Sequence, residues 1–339
     1  MSEAADASRF VNELLVALDG DLRLAAARVP GPRYAPVRDM IAYHLGWTGA
    51  TSASRGKRIR PLLTLLSCAA AGGRWESALP AATGVELIHN FSLVHDDIQD
   101  RSETRRGRPT LWVQWGVPQA INTGDTLFVL ARISTGRLVE TGATPEQAIE
   151  AHRILDEACL ALTLGQHLDL AFEDADRVSE EDYLEMVRGK TAALLEAACD
   201  VGALLASAAA SRPAYPQFGR HLGMAFQILD DILGVWGEPG TTGKPTGDDL
   251  AARKKSFPVV FGLAHSPEFA RLWRSGAEAP SDRRRMVEAL TSCGALERAR
   301  ELARTFTDEA LAALELASPA GDAGVELREL SQRLLQRRH

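Results

Sequence analysis

The chain has 339 residues, of which 45% are apolar and 24% charged, and its net charge is -7. This is the composition of a globular protein able to bury a sizeable core, and the acidic balance excludes any general attraction to nucleic acid or an anionic membrane surface, so an anion site must be local. Cys68, Cys159, Cys199 and Cys293 show no paired short spacing, which argues against a disulfide framework or a zinc site and fits a reducing cytoplasm.

Met1 to Asn12 lacks the apolar run of a secretory signal, and residues 1–8 are expected to be flexible, with 9–339 forming a single helical domain. Apolar residues recur at helical spacing from the start, as in Phe10, Leu14, Leu15 and Leu18, and again in Ile149, Ile154, Leu155, Ala158 and Leu162. Breaks rich in Gly, Pro and Ser near 30–36, 72–73, 211–216, 237–247, 276–282 and 318–324 separate segments of helix length. Extended alternating runs are hard to find, and the fold class expected is all-α, one large helical bundle.

Gly56-Lys57-Arg58-Ile59-Arg60-Pro61 leads into a helical run from Leu62 to Ala71, with Pro61 suited to a first turn. Lys57 and Arg60 thus flank a helix N-terminus, a place that already attracts anions. In Glu86 to Asp100 the helical periodicity runs straight into Asp96-Asp97-Ile98-Gln99-Asp100. At about 100° per residue those three aspartates share an arc of roughly 100°, which suits hard divalent cations. Arg105-Arg106-Gly107-Arg108 follows closely enough to curl back over whatever the aspartates hold, and arginine forks grip phosphate oxygens bidentately.

Thr191 to Ala210 is the most membrane-like stretch, but Glu196 and Asp200 interrupt it. A carboxylate at mid-span costs roughly 3 kcal/mol, so a core helix is expected, with Lys190-Thr191 opening it and no membrane insertion. In Phe226 to Leu233, Gln227, Asp230 and Asp231 fall at i, i+3 and i+4 on one polar stripe. Lys244 and Lys254 follow in the loop region beyond, and Val325 to Arg338 reads as a final amphipathic helix. Two acidic stripes facing each other across a cavity would suit a diphosphate held between magnesium ions, since magnesium takes one or two carboxylates and fills the rest of its shell with waters or phosphate oxygens.

These motifs, in this order, resemble the trans-prenyl diphosphate synthase (polyprenyl synthetase) family from about Gly56 to Pro258. The resemblance implies an isoprenoid-synthase bundle with a central apolar cavity, usually a homodimer, acting on isopentenyl diphosphate and an allylic diphosphate. It implies that Asp96, Asp97, Asp100, Asp230 and Asp231 bind magnesium, three ions per active site with substrate present. Lys57, Arg60, His89 and Arg106 would bind isopentenyl diphosphate, and Arg105, Lys190, Thr191, Gln227, Lys244 and Lys254 would surround the allylic diphosphate. Asp96, Asp97, Asp230 and Lys190 would carry the chemistry: ionisation, attack by the isopentenyl double bond, and proton loss.

One departure stands out: the family's second motif commonly ends in a third aspartate, and here that place is Gly234. The following loop holds Asp248 and Asp249 as alternative sources of charge, Asp249 already matching a family position ahead of Lys254. The first aspartate motif should therefore bear more of the metal binding, and Asp96→Ala should cost more activity than Asp231→Ala.

Phe91, five residues before Asp96, matches the position that sets the floor of the family's chain pocket, with Ser92 beside it. A ring there predicts short products, geranylgeranyl diphosphate ahead of farnesyl diphosphate. Helical phase puts Ser92 closer than Phe91 to the aspartate face, and a core-packed Phe91 is the plain alternative. Three other readings stay open: a class I terpene cyclase, a helical metal phosphohydrolase, and a non-catalytic subunit of a heteromeric synthase marked by Gly234.

Overall fold

The structure, a computed structural model, describes residues 3–48, 56–237, 247–276 and 279–335. Sixteen helices are labelled here: α1 (Glu3–Ala26), α2 (Ala35–His44), α3 (Ile59–Ala70), α4 (Trp75–Gln99), α5 (Leu111–Trp115), α6 (Val117–Gly136), α7 (Pro145–Asp174), α8 (Glu180–Val187), α9 (Ala193–Leu205), α10 (Ala214–Trp236), α11 (Asp248–Ala251), α12 (Phe257–His265), α13 (Pro267–Arg274), α14 (Pro280–Ser292), α15 (Ala295–Ala317) and α16 (Gly321–Leu335). The only strands among the described residues are β1 (Thr104–Arg105) and β2 (Arg108–Pro109), an antiparallel pair with Thr104 opposite Pro109. The backbone of Glu3 to Ala7 lies in the first turns of α1.

The residues group into two compact units: Met1–Glu157 with Ala197–Pro213 and Ala317–Leu327, and Ala158–Glu196 with Ala214–Leu316 and Arg328–His339. Most crossings from one to the other fall inside or at the ends of helices α7, α9, α15 and α16, so no linker composition marks them in the sequence.

In the first unit α4 packs between α3 and α6. Fifteen of its residues, Ala78 to Asp97, are buried, so the helix is apolar nearly all round until its last turn. In the second unit α8, α10 and α12 share a core built on Tyr183, Met224, Ile228, Ile232, Phe257 and Val260. Within the stretch 191–210, α9 is a core helix, with Leu194 1% exposed and Ala198 and Val201 fully buried. Among the described residues no helix is long and apolar enough to cross a membrane.

Candidate active site

In the first unit the acidic cluster occupies the C-terminal turn of α4, where Asp97 is buried and Asp100 exposed. Asp100 caps the helix through its N–H to Asp96 O, 2.8 Å away. A helix C-terminus is already electronegative, so three carboxylates there need cations. Arg105 on β1 supplies one by forking onto Asp97, its Nε 2.8 and 2.9 Å from the two carboxylate oxygens and its Nη2 2.8 Å from Oδ1. Even so, burial, with Asp100 nearby, pushes the Asp97 carboxyl up to about 6. A bound divalent cation would remove that cost, so this donor set fits magnesium.

The hairpin reverses at Arg106 and Gly107, both left-handed at φ 53 and 73. That is the conformation of a two-residue type I′ turn, for which glycine at the second position is favoured. The turn lays the Arg106 guanidinium against the backbone of Gly56, with Nη2 2.7 Å from where a Cβ would stand, and Gly56 is itself left-handed at φ 71, which favours glycine. Arg58, also left-handed at φ 50, turns inward to pair with buried Glu86 at 2.8 Å, while Asn90 donates to the same carboxylate oxygen at 2.7 Å. Lys57 is left exposed.

Arg60 Nη1 lies 3.3 Å from His89 Nε2. Because a guanidinium only donates, the imidazole accepts there and carries its proton on Nδ1. Desolvation, then Arg60, Arg106 and Arg105, hold His89 well below the ordinary histidine range. His89 is therefore a neutral member of a cationic group. His44 is driven down to about 3 by burial and by Arg106, Arg105 and Arg58. Tyr43, under the Arg108 guanidinium at 3.8 Å, donates to Pro109 O at 2.9 Å and ties the hairpin to α2. Neither Tyr43 nor His44 stood out in the sequence, where nothing marks them.

Below the aspartates, Phe91 packs edge-on against Phe128 of α6, ring centroids 5.2 Å apart, and against His95 at 5.7 Å. Ser92 donates to His89 O at 2.8 Å.

In the second unit the adjacent aspartates of α10 part ways. Asp230 is exposed, whereas Asp231 has no exposed surface. Asp231 accepts from the Tyr183 hydroxyl, from Phe257 N–H and Gln227 Nε2, both at 2.9 Å, and from Lys254 Nζ at 3.4 Å. The resemblance implies Asp231 as a metal ligand; here its oxygens accept from protein donors, as those of Asp97 accept from Arg105. Burial and the Asp231 charge keep the Tyr183 phenol well above its usual range and so a donor. Lys254 is penalised by desolvation, but Asp231, Asp249, Asp169 and Asp230 outweigh that and raise its pKa.

Thr191 Oγ1 donates to Gln227 Oε1 at 2.9 Å, which orients the amide so that its NH2 faces Asp231. Lys190 pairs with Asp169 of α7 at 2.5 Å. Lys190 and Thr191 do not open an α-helix as expected; they lie in a π-helical turn, Arg188–Ala192, between α8 and α9. Such turns re-aim side chains and recur at functional sites. Its seat is Gly165, whose missing Cβ would stand 2.8 Å from Gly189 C and 2.9 Å from Lys190 Cα, so the backbones touch.

Asp169, Tyr183, Arg58 and Glu86 escaped the sequence reading. Asp169 was legible, since Gln166 and Asp169 form an i, i+3 polar pair like that of Gln227 and Asp230. The other three depend on burial. Lys244 lies outside the described residues. Among the described residues no three acidic, His or Cys side chains converge on one metal position. Magnesium does not require that, because one or two carboxylates and phosphate oxygens suffice.

The polyprenyl synthetase family model matches residues 48–292. A geranylgeranyl diphosphate synthase of Mycobacterium tuberculosis is 41% identical over 309 residues, 89% of this chain and 87% of that protein. A (2E,6E)-farnesyl diphosphate synthase of the same organism is 43% identical over 270 residues, 76% of this chain and 74% of that one. Among solved structures, the geranylgeranyl pyrophosphate synthetase of Pyrococcus horikoshii superposes with a TM-score of 0.89 at 30% identity, covering 99% of this chain and all of that one. The chain therefore belongs to the polyprenyl synthetase family and is a trans-prenyltransferase of the short-chain type.

Proposed function

We propose that the chain condenses isopentenyl diphosphate with an allylic diphosphate in the presence of magnesium and stops at geranylgeranyl diphosphate. The observation that carries the reading is the division of labour in the first unit. Arg60 and Arg106, with neutral His89, make one anion-binding group, while the carboxylates ending α4, gripped by Arg105, make a separate cation-binding one. An enzyme that ionised a single diphosphate would have no use for the first group.

Magnesium, when bound by Asp96, Asp97 and Asp100 at the end of α4 and by Asp230 and Asp231 on α10, would neutralise the departing diphosphate. Lys57, Arg60, His89 and Arg106 hold isopentenyl diphosphate. Arg105, Lys190, Thr191, Gln227, Lys244 and Lys254 surround the allylic diphosphate. The allylic carbon–oxygen bond breaks heterolytically, the isopentenyl double bond attacks the allylic carbon, and the new cation loses a proton to the released diphosphate. Asp231 also acts through Gln227 and Lys254, whose heads it positions.

Product length is assigned to Phe91, supported by its packing against Phe128 and by relatives named for fifteen- and twenty-carbon products. Purified protein given isopentenyl diphosphate, magnesium and dimethylallyl, geranyl or farnesyl diphosphate is expected to yield twenty-carbon chains and none without isopentenyl diphosphate. Phe91→Ala should lengthen the product. Wild-type chains beyond twenty-five carbons, or hydrocarbon released without isopentenyl diphosphate, contradict the assignment.

We place the enzyme in the cytoplasm, in keeping with four free cysteines of which three are buried. It works as a homodimer through α6, where Val117 and Ile121, then Val129 and Ile133, fall at i+4 on either side of exposed Asp125 and are 37–53% exposed, with Val113 and Trp115 of α5 also exposed. Six exposed large apolar side chains on two neighbouring helices are more than scattered surface residues ordinarily amount to. Sedimentation of Ile121→Asp/Val129→Asp should give a folded monomer; an unchanged sedimentation coefficient would place the interface elsewhere.

A further inference from the structure

The loop after α11 sends three consecutive basic side chains to three different elements of the second unit. Its backbone closes α11 as a Schellman turn, with Lys254 N–H donating to Asp249 O at 2.9 Å and Arg253 N–H to Leu250 O at 3.3 Å. Arg253 takes the left-handed place of that turn at φ 54. Its guanidinium stacks on Trp273 of α13, 4.6 Å from the ring centroid, and Nη2 donates to Trp273 O at 3.1 Å. Lys254 turns instead to Asp231 on α10. Lys255 turns to the end of α7, where its ammonium donates to the carbonyl oxygens of Phe172, of Glu173 at 3.2 Å and of Ala175 at 2.5 Å. The last carbonyls of a helix lack partners inside it and carry the negative end of its dipole, so an ammonium shared among three carbonyls there closes α7.

Both ends of that link bear on the allylic-diphosphate group. Asp169, the partner of Lys190, lies roughly 7–8 Å before the end of α7, five residues along the helix. Phe257, two residues after Lys255, gives the first N–H of α12 to Asp231 at 2.9 Å. The Phe172 ring packs against the core that Tyr183, Ile228 and Phe257 build, so α7 has a second attachment besides Lys255. We propose that Lys255 is a positioning residue for the allylic diphosphate: it fixes the backbone from which Lys254 reaches, together with the helix end that carries Asp169 and, through it, Lys190. The inference rests on the reading that Lys190 and Lys254 surround that diphosphate, and it adds a residue whose own ammonium is spent on α7. Its consequence is selective, because the isopentenyl-diphosphate group belongs to the first unit, whereas Lys255, Lys254 and the end of α7 belong to the second.

The test sets the two substrates against each other in Lys255→Met, which keeps an apolar stem and removes the donors. With geranyl diphosphate varied at saturating isopentenyl diphosphate, kcat/KM should fall about 10- to 100-fold, the scale of loss when a displacement near 1 Å reaches the reacting groups. With isopentenyl diphosphate varied, KM should keep its wild-type value. Lys255→Arg, whose fork also donates to several acceptors, should recover most of the loss. Without turnover, magnesium with inorganic pyrophosphate should raise the melting temperature of Lys255→Met less than that of wild type, each measured from its own metal-free value. If Lys255→Met does not fold, Lys255→Gln, which keeps one amide donor, carries the same comparisons. Three results overturn the proposal: a lower melting temperature with allylic kcat/KM unchanged, equal changes in the KM of both substrates, or Lys255→Arg no better than Lys255→Met. Wild-type protein that makes no prenyl product refutes the functional reading instead, and the pyrophosphate shifts then decide the role of Lys255.

Discussion

Asp231→Ala is expected to melt well below wild type even without metal or substrate, with a loss on the order of 3–5 kcal/mol, the cost of stripping one partner from a buried charged group. The carboxylate is fully buried and gathers a phenol, a backbone N–H, a side-chain amide and an ammonium from α8, α12, α10 and the loop after α11. Alanine would leave those donors facing one another in a dry cavity, and Lys254 would lose the first of the charges that hold its proton. Asp231→Asn should cost less, since it keeps the shape and one acceptor. Scanning calorimetry decides it, with Asp230→Ala as the companion. Asp230 is exposed, so its removal should shift stability by no more than about 0.5 kcal/mol while turnover collapses. Equal melting of wild type and Asp231→Ala would show that the buried group is not an anchor.

Asp96→Ala should lower kcat by about 10³-fold at saturating magnesium, the effect of losing one preorganised stabiliser of a developing charge. Asp96 is in the last turn of α4 and only partly buried, and the Arg105 fork rests on Asp97, so the fold should survive. Initial rates together with the melting temperature check both halves of that expectation. The comparison of Asp96→Ala with Asp231→Ala must be made per folded molecule, because the first change removes a proposed metal ligand and the second removes one together with the support of its neighbours. If Asp96→Ala retains more than about a tenth of the wild-type kcat, the charge at α4's end is not what stabilises the leaving group.

Much of the site was legible because its chemistry is local along the chain. Three carboxylates within five residues share a helical face whatever the rest of the protein does, and Gln227, Asp230 and Asp231 share another. Periodicity likewise settled that the protein is helical, and glycines and prolines marked most of the breaks. Arg106-Gly107 needed only its own dihedral preferences to turn a hairpin.

Tertiary packing decided what identical letters do. Two adjacent aspartates on α10 became one exposed carboxylate and one buried anchor, since neighbours 100° apart on a helix meet different surroundings. The basic run Lys57-Arg58-Arg60 divided in the same way: Arg58 is spent on Glu86, Arg60 meets His89, and Lys57 remains exposed. The sequence by itself determined which chemical groups are present and which helical faces they share. Only the packed structure decided which of them are buried and which exposed, because burial and close approach depend on segments far apart in the chain.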